Sequence, residues 1–377
     1  MEPFKNQLNA DVVHALARVL HRARPDFDRA GFEGRALDGL EGLELKARAE
    51  HLADALQAYL PTSYVELAPV IESCLAPPDR SAADSGSGAG PAEGLSGWAV
   101  WPLAELVARR GLDAPARALE TLHALTQRFT AEWAIRPFIE RFPDLVFATL
   151  RQWTHDPSEH VRRLVSEGSR PRLPWGRRLA SLQADPSPTL PLLAALQDDP
   201  SEYVRRSVAN HLNDIAKDHP DRVVDWVRMQ LPGAGPERRA LLRHASRTLV
   251  KSGHPAMLAL WGAGEDFAGR VQLSVQPRRI HLGEAIRIEV GLHSRADAAQ
   301  RLVVDYAVHH VKADGSLRPK VFKGWTLELA PRASCTLSKR HAVRPVTVRR
   351  YHAGRHALDL RINGRVVAHA TFELRLG

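Results

Sequence analysis

The chain has 377 residues, 44% hydrophobic and 25% charged, which are ordinary globular proportions in a length sufficient for two or more domains. Its formal net charge of +9 is uneven: residues 1–120 carry 12 basic against 18 acidic side chains, residues 121–267 carry 20 against 17, and residues 268–377 carry 20 against 8. No apolar run approaches the roughly 20 residues that cross a bilayer, the first residues lack the basic-then-apolar order of an export signal, and two distant cysteines, Cys74 and Cys335, argue against a disulfide framework or a cysteine-held metal.

A cytoplasmic, bacterial-type protein is therefore expected. Residues 1–76 read as helical, with Val12, Val13, Leu16, Val19 and Leu20 at helical spacing and Leu43, Leu45, Leu52, Leu56 and Leu60 after them. The stretch 77–97, rich in Gly, Ser and Pro, has nothing to bury and is expected to be a flexible surface loop. Helical periodicity resumes at Trp98 and runs to about Gly262. Within it Asp156-Pro-Ser-Glu-His-Val-Arg-Arg-Leu-Val-Ser matches Asp199-Pro-Ser-Glu-Tyr-Val-Arg-Arg-Ser-Val-Ala. The offset between the copies lies in the roughly 40–47-residue range of HEAT and armadillo units. Ser158 and Ser201 stand where a helix N-cap belongs, and a degenerate third copy opens at Gly235-Pro-Glu-Arg-Arg.

From about Ala268 the period changes from 3.6 to 2. Val271–Val275, Ala285–Val290, Leu302–Val308, Trp325–Leu329, His356–Ile362 and Val366–Phe372 read as strands, and Asn363-Gly364 marks a hairpin between the last two. About seven short strands in this space suggest an immunoglobulin-like sandwich. The expected architecture is an all-α HEAT-like repeat solenoid over 1–265, then an all-β immunoglobulin-like sandwich over 268–377.

Aligning the repeats through their Arg-Arg pairs sets Glu167 equivalent to Asn210. The segment Phe129-Thr-Ala-Glu132, read as part of the preceding helix, adds Glu132 to that series. Equivalent positions on stacked units share a face, and Asp214 lies one turn beyond Asn210 on the same face. Carboxylates beside Arg162, Arg163, Arg205, Arg206 and Lys217 stay ionised. That suits ion pairs joining one repeat to the next, and equally the stabilisation of a cationic transition state; spacing alone leaves both open.

Three segments carry a more specific likeness. Phe129-Thr-Ala-Glu-Trp-Ala-Ile-Arg-Pro-Phe, His160-Val-Arg-Arg-Leu-Val-Ser-Glu-Gly-Ser-Arg-Pro-Arg-Leu-Pro-Trp and Tyr203-Val-Arg-Arg-Ser-Val-Ala-Asn-His-Leu-Asn-Asp resemble the signature of AlkC-type DNA glycosylases. The resemblance covers most of residues 1–263, and some members of that family carry a C-terminal immunoglobulin-like domain. It implies excision of small cationic lesions such as 3-methyladenine and 1-methyladenine from double-stranded DNA without base flipping. It also implies Glu132, Glu167 and Asp214 as the catalytic carboxylates. Arg162, Arg163, Arg170, Arg172, Arg205, Arg206 and Lys217 are candidate DNA contacts, with one arginine of each adjacent pair expected to turn inward. Trp175, after Arg-Pro-Arg-Leu-Pro, is the leading aromatic candidate, ahead of Trp133 and Trp153. In the basic C-terminal module, Lys320, Lys323, Lys339, Arg340, Arg344, Arg349 and Arg350 are expected to meet phosphates and close around the duplex. No metal, cofactor or obligate protein partner is expected, and a monomer is. His352 and His356 have ligand spacing but flank Gly354 in the β region. The alternatives are a non-catalytic HEAT adaptor and a damage sensor with a decayed catalytic face.

Overall fold

The computed structural model describes residues 3–78, 94–346 and 350–376, which divide into two compact units, 1–218 and 219–377. The first unit is helical: α1 (Ala10–Ala23), α2 (Arg29–Leu37), α3 (Leu45–Tyr59), α4 (Tyr64–Ser73), α5 (Val100–Arg110), α6 (Pro115–Thr126), α7 (Arg136–Arg141), α8 (Pro143–Trp153), α9 (Glu159–Gly168), α10 (Ala180–Ala184), α11 (Leu190–Leu196) and α12 (Glu202–Ile215). In α1 the Asn9 side chain accepts from the Val12 N–H, while Val12, Val13, Leu16 and Leu20 are buried.

Part of the expected flexible loop 77–97 is ordered structure. Leu95 is wholly buried, its N–H donates to the Cys74 carbonyl at 2.7 Å, and Ala76 N–H donates back to it at 3.0 Å. Residues 79–93 of that loop lie outside the described residues.

The sequence repeat is a structural repeat, with its joints made by aspartate. Asp156 Oδ1 accepts from Ser158 N–H at 2.8 Å, and Asp199 Oδ1 from Ser201 N–H at 2.9 Å. Neither serine hydroxyl caps its helix, contrary to the N-cap expectation; the aspartate two residues earlier closes an Asx turn instead. The aspartates also reach the preceding unit. His123 of α6 lies 2.7 Å from Asp156, and Arg162 of α9 makes a two-pronged bond to Asp199 at 2.6 and 3.0 Å. Arg162 Nη1 donates to the Asp156 and Pro157 carbonyls, and Arg205 Nη1 repeats this on the Asp199 and Pro200 carbonyls.

The second unit begins with α13 (Pro220–Gln230), α14 (Pro236–Ala245), α15 (Arg247–Ser252) and α16 (Pro255–Leu260). Strands follow: β1 (Gly269–Gln276), β2 (Arg279–His281), β3 (Ala285–Ser294), β4 (Gln300–Val311), β5 (Leu317–Leu329), β6 (Ser334–Ala342), β7 (Gly354–Ile362) and β8 (Arg365–Arg375). One sheet has the order β1-β3-β6 and the other β2-β8-β7-β4-β5. Ile286, Ile288 and Val290 from the first sheet meet Val304, Tyr306, Leu358, Leu360 and Phe372 from the second in a shared core. The change from helix to strand lies between Leu260 and Gly269, inside this unit. Asn363 fastens it, donating from Nδ2 to the Glu265 carbonyl at 2.7 Å while Oδ1 accepts from Val303 N–H at 2.9 Å. Gly253, which ends α15, meets Gly364 of the β7–β8 turn so closely that a Cβ on either would lie 2.4 Å from the other's Cα.

Candidate active site

Glu132, Glu167 and Asp214 reach one place by three different backbone routes. Glu132 stands on the turn between α6 and α7, not on a helix as its sequence alignment suggested. Glu167 lies in the last turn of α9. Asp214 lies in the last turn of α12, which runs one turn further than α9 relative to the repeat. Carboxylates at helix C-termini oppose the helix dipole by about 0.3–1 kcal/mol each, so these positions need cations.

Two arginines supply them. Arg163 Nη1 lies 2.6 Å from Glu132 Oε2, and its Nη2 lies 3.7 Å from Glu167 Oε1. Arg170 Nη1 lies 2.6 Å from Glu167 Oε1, and its Nη2 and Nε each lie 2.8 Å from Asp214 Oδ2. The result is a continuous chain, Glu132–Arg163–Glu167–Arg170–Asp214, ending on Lys217 Nζ at 2.7 Å from Asp214 Oδ1. All three carboxylates are buried. Hydroxyls complete the set: Thr130 donates to Glu132 Oε2 and Ser207 to Glu167 Oε2, both at 2.6 Å. Burial would depress the Arg163 and Arg170 guanidiniums, but the carboxylates on either side outweigh it and hold both above their ordinary values.

A second layer fixes this geometry. Arg136, wholly buried, donates from Nη1 to the Gly168 and Arg170 carbonyls at 2.8 Å and from Nε to the Arg177 carbonyl at 2.7 Å. Burial pushes it down to about 10, still protonated at neutral pH. Trp133 stacks on Trp101 with ring centres 4.4 Å apart and donates from Nε1 to the Pro174 carbonyl at 3.2 Å. Together they brace the loop that follows Glu167. At its tip Trp175 is 61% exposed and has φ +61°, a left-handed conformation that costs a bulky residue on the order of 1–3 kcal/mol. His211, buried in α12, sits 2.9 Å from the Ser166 carbonyl through Nδ1, and burial pushes it down to about 3, so it is neutral.

The sequence-predicted contacts divide accordingly. Both arginines of the first pair are engaged inside the protein, Arg162 at the Asp199 joint and Arg163 in the carboxylate chain, so the expected inward–outward split does not hold there. In the second pair Arg205 is tied to carbonyls while Arg206 is exposed, beside Glu202. Arg172 pairs with Asp218 at 2.6 Å. Trp153 packs against His123. In the second unit Lys320, Lys323, Arg340, Arg344 and Arg350 are exposed, Lys339 donates to the Lys323 carbonyl, and Arg349 lies outside the described residues. Sequence reasoning missed Thr130, Ser207 and Tyr203, whose ring lies 4.8 Å from the Arg163 guanidinium. No periodic signal marks them.

The chain as a whole is similar to known proteins. Residues 270–376 match the family model described as the C-terminal Ig-like domain of the uncharacterised protein YhaZ. YhaZ of Bacillus subtilis (strain 168), itself uncharacterised, is 34% identical over 99% of this chain and all of its own length. The solved structure of the Pseudomonas fluorescens alkylpurine DNA glycosylase AlkC, bound to DNA containing an abasic-site analogue, is 36% identical, with a TM-score of 0.88 over 99% of this chain and all of that one. This chain belongs to the AlkC-type DNA glycosylase family, the members of which that it matches share its helical repeats and immunoglobulin-like C-terminal domain.

Proposed function

We propose that this chain is an alkylpurine DNA glycosylase that hydrolyses the N-glycosidic bond of cationic bases such as 3-methyladenine and 1-methyladenine, leaving an abasic site. The observation that carries the proposal is the joining of Glu132, Glu167 and Asp214 into one buried cluster through Arg163 and Arg170. A ring-methylated adenine is already a cationic leaving group, so no general acid has to protonate it. As the bond breaks, positive charge moves to the deoxyribose, and fixed anions stabilise that oxocarbenium ion as they do in glycoside hydrolysis. Glu167 and Asp214 supply the field and orient water toward the anomeric carbon, with Glu132 in the same cluster. No lysine nucleophile is needed, so the enzyme is monofunctional. By family likeness the base is excised without flipping.

Double-stranded DNA is the proposed partner, bound by a monomer. Trp175, Arg206 and Lys217 are exposed contacts of the first unit. The exposed Lys320, Lys323, Arg340 and Arg350 serve phosphates in the second. Arg162, Arg163 and Arg170 hold the scaffold. The test is release of free methylated base from alkylated duplex DNA. Glu167→Gln and Asp214→Asn should each lower single-turnover release by about 100-fold or more, as loss of a fixed electrostatic partner does elsewhere. A wild-type protein that binds such DNA tightly yet frees no base would sink the reading and favour a non-catalytic adaptor or damage sensor.

A further inference from the structure

The carboxylate cluster is electrically balanced. Three anions face Arg163, Arg170 and Lys217, and a neutral cluster has little attraction for a cationic sugar or base. One cation has to leave before the anions act, and the three differ in their freedom to do so. The Arg163 and Arg170 side chains are 15% and 7% exposed, and each grips two carboxylates. The Lys217 side chain is 41% exposed and, among the described residues, is bonded to Asp214 Oδ1. It lies just past the end of α12, on a flexible stem with a strongly hydrated head.

The carboxylate oxygens divide in the same way. Glu167 is occupied at both, by Arg170 and by Ser207. Asp214 Oδ2 is held by the buried fork of Arg170, whereas among the described residues Oδ1 is held by Lys217, from the solvent side. We infer that Lys217 is a displaceable counter-ion: it neutralises Asp214 in the free protein and moves to a backbone phosphate when a cationic nucleotide arrives, leaving Asp214 Oδ1 to face the developing charge. The inference rests on the glycosylase reading for its chemistry. It assigns Asp214 the working oxygen and Glu167 a supporting one.

The test uses the full chain and two DNA duplexes, one carrying a neutral tetrahydrofuran abasic analogue and the other a cationic pyrrolidine analogue. In the wild type, binding the pyrrolidine requires Lys217 to move, whereas binding the tetrahydrofuran does not. Lys217→Met should therefore raise the preference for pyrrolidine about threefold or more, and Lys217→Arg should lower it. On the pyrrolidine duplex the salt dependence of Lys217→Met should be shallower by about 0.9, one phosphate contact. An unchanged preference with an unchanged salt slope would overturn the inference. So would a tenfold fall in release with binding and melting temperature intact, which would make Lys217 part of the chemistry. If the wild type frees no base, the glycosylase reading fails, and the two-duplex comparison still judges the lysine.

Discussion

Arg170→Met should unfold the first unit about 6–12 °C below the wild type. The substitution keeps most of the side-chain volume and removes the guanidinium that lies 2.6 Å from Glu167 and 2.8 Å from Asp214. Removing one partner of a buried ion pair costs about 3–5 kcal/mol, chiefly because the other charge is left buried and uncompensated. Here the lower figure applies. Glu167 keeps the Ser207 hydroxyl at 2.6 Å and Arg163 at 3.7 Å, and Asp214 keeps Lys217 at 2.7 Å. About 3 kcal/mol in a domain of this size corresponds to the stated shift at about 2–4 °C per kcal/mol. Thermal unfolding followed by far-ultraviolet circular dichroism reads the helical unit directly. Neutralising the stranded partners, in Arg170→Met combined with Glu167→Gln and Asp214→Asn, should return about 2 kcal/mol, since residues in one network are not additive. A single variant within about 1 kcal/mol of wild type, or a triple variant no more stable than the single, would refute the view that Arg170 holds two buried anions.

Three other outcomes are expected. His211, neutral and driven down to about 3 by burial, ordinarily titrates near 6.5 when unfolded. Its stability contribution is therefore complete above about pH 6.5 and is lost at about 1.4 kcal/mol per pH unit as pH falls toward 3. His211→Asn, which keeps a donor toward the Ser166 carbonyl, should flatten that slope. A wild-type-minus-variant difference that stays constant between pH 7 and pH 4 in urea titrations would exclude it. Trp175→Ala should weaken binding of lesion DNA by about 1 kcal/mol or more, as truncating an aromatic contact does, with little change in melting temperature because the side chain is 61% exposed; equal affinity by anisotropy would remove Trp175 from the interface. Replacing Lys320, Lys323, Arg340 and Arg350 by Gln should reduce the salt slope of DNA binding by up to about 3.6, at about 0.9 per phosphate lost. Four substitutions that leave the slope intact would make this a merely solvated face. Truncation at residue 268 is the poorer experiment, since Asn363 is bonded to Glu265 and Gly364 is packed on Gly253.

What the sequence disclosed and what it hid follow from periodicity. The repeat was legible because Asp-Pro-Ser-Glu and Val-Arg-Arg recur in register. Helix spacing also carried Asp214, one turn beyond Asn210, to the face where Arg170 bridges it to Glu167. Glu132 was found through the same alignment although its backbone is a turn; Thr130 and Arg163 bring its carboxylate to the place a helix would have offered. Leu95 was hidden, being a single apolar residue between Gly94 and Ser96 at the end of a tract rich in glycine, serine and alanine. Strand β6 was hidden because the row Cys335, Leu337, Lys339 and His341 mixes apolar with basic side chains. Only the structure shows Lys339 lying along Trp325 with its ammonium on the Lys323 carbonyl. Arg162 and Arg163 looked like a surface pair with one member to spare. Asp199, 37 residues away, and Glu132, 31 residues back, take both.

The two readings that the sequence left open, ion pairs that join repeats and anions that stabilise a cation, are not competitors in this geometry. The Arg162–Asp199 pair joins units: Arg162 directs four of its five N–H donors to Asp199 and to the Asp156 and Pro157 carbonyls, and both Asp199 oxygens accept within the protein. Arg163 and Arg170 join units too, linking the α6–α7 turn to α9 and α9 to α12. Two of the carboxylates they bridge, Glu167 and Asp214, stand in the last turns of helices, where the dipole disfavours an anion, so the arginines stabilise residues that the scaffold would fold more easily without. Glu167→Gln should thus cost less stability than Arg170→Met while costing more base release. A joint built only for stability predicts the opposite order, because removing either half of a structural pair would then matter chiefly to the fold. Placing buried anions against helix dipoles and then restraining them with cations is an expense that stability alone does not explain, and the proposed stabilisation of positive charge on a substrate would.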